Sequence, residues 1–105
     1  MNVLAEVDVL EALRDVEDPE LPISIVDMGL FVAARIREST IDVDITLTAM
    51  GCPGVDMLTE DIERRLLREQ GVDRVNVRIV WDPIWTKDRL TEDGRAQMRE
   101  WGIAV

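Results

Sequence analysis

The stretch Ile41-Asp42-Val43-Asp44-Ile45-Thr46-Leu47-Thr48 alternates apolar and polar residues without a break. Because successive side chains of a strand point to opposite sides, this alternation predicts a β-strand with two unlike faces. The buried face carries Ile41, Val43, Ile45 and Leu47, and the polar face carries Asp42, Asp44, Thr46 and Thr48. A strand with one polar face belongs to a sheet that helices cover on one side only.

The segments that flank this strand extend the prediction in both directions. Residues 30–37 read as a strand before it, joined by a turn at 38–40, with one face formed by Val32, Ala34 and Ile36. Residues 50–54 form a loop because of their glycines and proline. A helix follows, which ends near Gly71 and whose apolar stripe consists of Val55, Leu58, Ile62 and Leu66.

The outer segments complete one domain over residues 1–105. A first helix carries Val3, Val7, Leu10 and Leu13 at helical spacing and ends before the turn at Asp18-Pro19. A third strand alternates through Val75, Val77, Ile79 and Trp81. Thr91 is a predicted N-cap of a last short helix, which Gly102 ends. The order αββαβα predicts a small two-layer α/β (α+β) sandwich, with helices covering a three-stranded mixed sheet.

Composition excludes several functions. The 105 residues include no histidine and one cysteine, which removes histidine-activated nucleophiles and multi-cysteine metal cages within one chain. The net charge of −10 disfavours nucleic acids and anionic membranes as partners. The longest run without a charged residue has eleven residues, 45–55, which is too short to span a bilayer. We therefore expect a cytoplasmic protein.

Cys52 is the first candidate for chemistry. It lies between Gly51 and Pro53, just before the predicted second helix, where a helix N-terminus favours the thiolate. The alternative is a small buried hydrophobic residue, and both interpretations stand at this point. Thr46 and Thr48 share a strand face that leads to the cysteine, although threonine is also common in strands for its shape alone.

Acids and tryptophans supply the other candidates. Asp18, Glu20 and Asp27 lie in loops before the first strand and could offer oxygen ligands or orient a partner. For Asp18, which precedes a proline, turn formation is the favoured explanation. Trp81 and Trp85 flank Asp82-Pro83-Ile84 and suit contacts with a partner or the core better than a ligand platform.

Five segments in order resemble the iron–sulfur cluster assembly domain family, which includes SufT-like and PaaD-like proteins. They are Asp18-Pro19-Glu20-Leu21-Pro22, Ser24-Ile25-Val26-Asp27-Met28-Gly29-Leu30, Thr46-Leu47-Thr48, Gly51-Cys52-Pro53 and Trp81-Asp82-Pro83-Ile84-Trp85-Thr86. The resemblance runs from about Leu10 to the end. The last part is most similar to the core domain of the PaaD branch, whose members usually continue into a cysteine-rich segment that these 105 residues do not contain.

The resemblance implies a non-catalytic accessory factor that helps to assemble iron–sulfur clusters or metal centres, in an oxygenase system among others. It makes Cys52 the residue that holds metal or cluster transiently, supported by Thr46, Thr48 and the acids named above. A single thiolate needs a second copy or a client protein to complete a cluster. The expected partners are therefore a second copy in a homodimer, client metalloproteins or other cluster-assembly proteins. The alternative function is an acidic docking or regulatory component of a multicomponent oxygenase without metal chemistry.

Overall fold

The computed structural model describes residues 5–18, 22–48 and 54–102. Its elements are, in order, α1 (Glu6–Leu13), β1 (Phe31–Arg37), β2 (Thr40–Ile45), α2 (Val55–Leu67), β3 (Arg74–Ile79), a short 3₁₀ helix (Lys87–Arg89) and α3 (Glu92–Glu100). The predicted order αββαβα is confirmed. Within these ranges no helix is long and apolar enough to cross a membrane.

Strand β2 lies at the centre of the sheet. It pairs antiparallel with β1 and parallel with β3, so the sheet is mixed, as predicted. Because β2 and β3 run in the same direction, the chain between them must cross from one end of the sheet to the other, and α2 makes that crossing. Helix α2 contacts β3, α1 contacts β1, and the two helices contact each other.

The core lies between these helices and one face of β2. Ile41, Val43 and Ile45 have no exposed surface, and Leu47 beyond the strand end is also buried. On α2 the residues Leu58, Ile62 and Leu66 of the predicted stripe are fully buried or nearly so in the same core. Burial of each such side chain contributes about 1.5–3 kcal/mol, which makes this contact the main source of stability.

Strand β1 departs from simple alternation. A register shift between Phe31 and Ala33 pairs Phe31 with Ile45, while Ala34 pairs with Val43. The extra residue of this bulge is Val32, which simple alternation predicts on the face of Ala34 and Ile36. Phe31 packs against the core in place of Val32.

Helix α1 buries Leu13 and packs Leu10 against the core as predicted, but it departs from the predicted stripe at Val7. Val7 is 60% exposed, whereas Val9, Ala12 and Leu13 are buried. The spacing that fits the core therefore begins at Val9, because the sequence offers two apolar registers within one short helix. The described part of the helix begins at Glu6, and Val3 lies outside the described residues.

Helix α3 begins as predicted. The Thr91 hydroxyl oxygen accepts a hydrogen bond from the Gly94 backbone N–H at 3.1 Å, which confirms Thr91 as the N-cap. A Cβ atom at Gly94 would lie 2.5 Å from the Asp27 carbonyl oxygen, so only glycine allows this approach. The start of α3 is thereby fixed against residues 22–30.

Candidate functional site

The chain beyond β2 meets two other segments at Thr46. The Thr46 N–H donates to the Leu30 carbonyl oxygen at 2.8 Å, and its hydroxyl donates to the Pro83 carbonyl oxygen at 3.3 Å. The Thr46 side chain is fully buried. We call these three residues the Thr46 junction. It fixes residues 22–30 and 81–86 around the stretch of chain that leads to the cysteine.

The two tryptophans beside the junction have different environments. The Trp85 indole N–H donates to the Met28 carbonyl oxygen at 2.6 Å, and the ring packs against the core. Trp81 is 45% exposed, and Ile84 between them is 78% exposed. Strand β3 ends at Ile79, so the prediction that the strand includes Trp81 is wrong. Trp85 therefore anchors the segment, while Trp81 and Ile84 leave apolar surface exposed.

Cys52 lies outside the described residues, in the stretch of chain between Thr48 and Gly54. The features that bracket it are described. Thr48 is exposed, three residues after the end of β2, and Gly54 is the residue before the first turn of α2. The first turn carries Asp56, whose negative charge offsets part of the helix dipole.

Asp27, within the 22–30 segment, has structural partners at the end of α1 and the start of α3. Its carboxylate accepts a hydrogen bond from the Thr91 hydroxyl at 2.7 Å, and the Arg14 guanidinium lies 3.5 Å away. The Thr91 N–H also donates to the Asp27 carbonyl oxygen. These contacts join α1, α3 and the segment between them, and they occupy the carboxylate that the sequence offers as a ligand.

Asp18 lies beside the second helix. Its N–H donates to the Ile23 carbonyl oxygen at 2.9 Å, which holds these two residues together. The residue lines an open cavity of about 420 Å³ with Asp15, Arg64 and Arg65 among its walls. The hydrogen bond from Arg65 to Asp15 raises the pKa of Arg65 further, so this guanidinium stays charged. Glu20 lies outside the described residues.

The structure brings three of the five sequence motifs together at the Thr46 junction, namely those that contain Leu30, Thr46 and Pro83. It does not gather the acids. In the ranges 5–18, 22–48 and 54–102, no three of the residue types His, Cys, Asp and Glu lie close enough to hold a metal ion. A ligand set for a metal would therefore need residues beyond those ranges or a second protein.

The open face of the sheet carries a cluster that sequence reasoning missed. Asp44 is 5% exposed and accepts two hydrogen bonds from Arg35 and two from Arg78, at 2.9–3.1 Å. These bonds, those from Arg35 first, lower the pKa of Asp44 to about 2. The signal is present in the sequence, because Arg35 and Arg78 each occupy an alternate position that shares the polar face once the register is known.

Three comparisons place the chain among known proteins. The family described as "Iron-sulfur cluster assembly protein" matches residues 6–79. The chain belongs to this family. It is 39% identical over 75 residues to the "Fe-S protein maturation auxiliary factor SufT" of Staphylococcus aureus, a match that covers 70% of this chain and 85% of that protein. This confirms the resemblance drawn from the five motifs.

Two further likenesses concern the fold and the PaaD branch. A solved structure of a domain of unknown function from Bacillus anthracis superposes with a TM-score of 0.84 at 27% identity, covering 90% of this chain and 91% of that one. A putative component of the 1,2-phenylacetyl-CoA epoxidase of Escherichia coli is 33% identical over 88% of this chain. The chain spans 56% of that protein's length.

Proposed function

We propose that the protein is an accessory factor in the assembly or maturation of iron–sulfur proteins. The observation that carries this proposal is the similarity to a maturation auxiliary factor over 85% of that relative's length. The family region runs from Glu6 to Ile79 and so includes both elements that bracket Cys52. The proposed role is non-catalytic, which the names of the maturation auxiliary factors support.

In this proposal Cys52 holds iron or a cluster as cargo. A thiolate is the form that binds metal, and a site just before a helix favours it. Thr48 and the Gly54 backbone are the described neighbours in the chain that could donate to a bound sulfide or thiolate. Thr46 has a lesser part, because its hydroxyl proton is already donated to Pro83.

A single cysteine makes the hold on a cluster weak, since clusters usually take four protein ligands. Two routes complete the site: a homodimer that brings two copies of Cys52 together, or a client protein that supplies its own cysteines. Either route suits a carrier, which must release what it holds. We therefore propose a homodimer that retains metal weakly and transfers it within a complex with a client metalloprotein.

The test is purification without oxygen, followed by reconstitution with ferrous iron and sulfide and by mass measurement in solution. We expect the wild type to take up iron and sulfide that a chelator removes readily, and the Cys52→Ser variant to take up neither. Thr48→Ser, which keeps the hydroxyl group, is the matched control and should behave as the wild type. A monomer that takes up no iron would contradict the carrier role.

Reactivity of the thiol gives an independent measurement. We expect the alkylation rate of Cys52 to rise with pH with a midpoint below about 8.5, the value for a free thiol. The physical reason is the N-terminus of α2, partly offset by Asp56. A midpoint at or above that value would identify Cys52 as a structural cysteine.

A second candidate function is an acidic docking component of a multicomponent oxygenase without metal chemistry. The similarity to the putative epoxidase component favours it, although the chain spans about half of that protein. Complementation in the native host separates the two candidates. A docking component should tolerate Cys52→Ser, whereas a carrier with that variant should leave client iron–sulfur enzymes inactive.

A further inference from the structure

The side of the sheet that the helices leave open is rich in arginine. Register pairs Arg35 with Asp42 and Asp44 with Arg78, and paired residues point to the same side. The alternate positions of the three strands therefore place four guanidinium groups on this side. We call it the arginine face, and it consists of Arg35, Arg37, Arg74 and Arg78 around Asp42 and Asp44.

The charge of this face is opposite to that of the rest of the molecule. Four arginines against two aspartates give it +2, which leaves −12 for the remainder of a chain with a net charge of −10. Glu38 and Asp73 lie beyond the strand ends, in the adjoining connections. A local reversal of sign on so acidic a protein favours contact with a negative surface at this place.

The two aspartates on the face are held inward, whereas the arginines extend outward. Asp42 accepts hydrogen bonds from Arg37 at 2.7 Å and Asn76 at 2.9 Å, and its side chain is 17% exposed. The side chains of Arg35, Arg78 and Arg37 are 49%, 67% and 73% exposed. Each guanidinium has five N–H donors, so those directed at aspartate leave others for a partner.

One end of the face adjoins the Thr46 junction. Thr46 follows Asp44 at the next alternate position, and its hydroxyl contact with Pro83 brings residues 81–86 across that end. The exposed apolar residues Trp81 and Ile84 therefore border the face. Arginine beside an exposed tryptophan is the combination that protein interfaces favour.

We propose that the arginine face is the docking surface for a carboxylate-rich segment of a partner protein. The role of this docking surface in a maturation factor rests on the function proposed above. A partner bound to this face contacts Trp81 at one end, close to Thr46, where the stretch that leads to Cys52 begins. Its aspartates and glutamates pair with guanidinium groups that already hold Asp42 and Asp44.

Two other occupants fit less well. A second copy, docked face to face by a two-fold axis, would set four arginines against four arginines. A head-to-tail contact with the acidic helices of another copy would be heterologous and would build a ring or an open chain of copies in place of a pair. A nucleic acid that extends beyond the face would be repelled by the rest of the surface. The net charge of that remainder is −12, which is −10 for the chain minus +2 for the face.

The test is a titration of the ¹⁵N-labelled protein with a decaglutamate peptide, followed by NMR, with decaglutamine as the uncharged control. We expect decaglutamate to shift the amide signals of β1, β2 and β3 at low salt. The variant pair Arg37→Glu/Arg74→Glu should weaken binding roughly tenfold or more, because like charges then meet. These two arginines are chosen because the bonds to Asp44 come from Arg35 and Arg78.

The matched control is Arg64→Glu/Arg99→Glu, which makes the same change in net charge on α2 and α3. We expect it to weaken binding less than about twofold. Should the first pair not fold, Arg74→Glu alone gives the same comparison with Arg99→Glu. Cys52→Ser should leave decaglutamate binding unchanged, so this measurement stands apart from the iron and sulfide test.

Four results would overturn the proposal. One is an equal loss of binding in Arg37→Glu/Arg74→Glu and Arg64→Glu/Arg99→Glu, which would show that binding depends on net charge and not on the arginine face. Another is a set of shifts on the helices in place of the strands. Tighter binding of a ten-nucleotide DNA strand than of decaglutamate would assign the face to nucleic acid. Self-association that Arg37→Glu/Arg74→Glu abolishes would assign it to a second copy.

Discussion

The segment 41–46 has buried residues on both sides, and they are buried by opposite means. On the helix side, Ile41, Val43 and Ile45 are excluded from water by apolar contact. On the other side, Asp44 is 5% exposed and Thr46 is fully buried, and polar contacts cover both. A buried apolar side chain can pack against any apolar neighbour of suitable volume. A buried polar group needs a hydrogen-bond partner in the correct position.

The partners on the polar side come from distant parts of the chain. Arg35 is 9 residues from Asp44 in sequence, Arg78 is 34 residues away, and Pro83 is 37 residues from Thr46. Every one of these contacts depends on the sheet register being correct. The helix side thus supplies most of the stability, while the polar side positions the arginine face and the Thr46 junction.

The largest expected effect comes from the helix side. Ile45→Ala removes a fully buried side chain that pairs with Phe31 and Ile79 across the sheet, and it should lower the free energy of unfolding by about 2–5 kcal/mol. Urea unfolding followed by tryptophan fluorescence measures this. Ile84→Ala is the control, because Ile84 is 78% exposed, and it should change stability by less than about 0.5 kcal/mol. Similar losses in both variants would contradict the assignment of the core.

The second effect tests the carboxylate between the two arginines. Asp44→Asn should lower the free energy of unfolding by about 2–3 kcal/mol at pH 7, since the pKa of Asp44 is about 2 when folded and near 4 when unfolded. Because the pKa of Asp44 is lower in the folded state than in the unfolded state, its ionised form stabilises the fold at pH values above the unfolded pKa. The wild type should therefore lose this contribution as the pH falls from about 4 to about 2, and the two proteins should converge.

The control for Asp44 is a surface pair. Asp61 lies 3.4 Å from Arg64 on α2, where both side chains are well exposed. Asp61→Asn should change stability by less than about 0.5 kcal/mol, with little dependence on pH. A constant difference between Asp44→Asn and the wild type across the whole acid range would show that the charge of Asp44 does not stabilise the fold.

The sequence predicts what depends on local pattern. The inward positions Ile41, Val43 and Ile45, the α2 residues Leu58, Ile62 and Leu66, and the Thr91 cap each need only a few neighbouring residues, and each is confirmed. The prediction that the strand continues to Thr48 is wrong, because β2 ends at Ile45, where the chain turns to the contacts of Thr46. The bulge at Val32 is beyond such a prediction, because an extra residue leaves the alternation of β1 plausible in either register.

The candidate site is harder to predict than the fold. The pattern places Thr46 beside the thiol on a polar face, and the structure buries it against Pro83. The sequence offers Asp27 as a ligand or an orienting acid, and the structure binds it to Thr91, 64 residues away. Contacts at such separations follow from tertiary packing, which a pattern within one segment does not contain. The roles of Cys52 and Glu20 stay predictions.

The third effect tests the Thr46 junction. Thr46→Val keeps the shape of the side chain but leaves the Pro83 carbonyl oxygen without its donor, so we expect a loss of about 1 kcal/mol. Thr46→Ser keeps the hydroxyl group and is the control for the hydrogen bond itself. Urea unfolding gives both values, and the fluorescence of Trp81 and Trp85 reports whether residues 81–86 have moved. No loss in the valine variant would show that this bond does not hold the segment.

The smallest expected effect on stability comes from Thr48, two residues after Thr46 in the chain. Thr48 is exposed, and so Thr48→Val should change the free energy of unfolding by less than about 0.5 kcal/mol. In the carrier proposal the Thr48 hydroxyl donates to the sulfide or thiolate at Cys52, whereas the Thr46 hydroxyl has a structural role. Iron and sulfide retention should then fall in Thr48→Val while the unfolding curve stays unchanged, and Thr48→Ser should restore retention. A loss of stability above about 1 kcal/mol would instead make Thr48 a second structural threonine like Thr46.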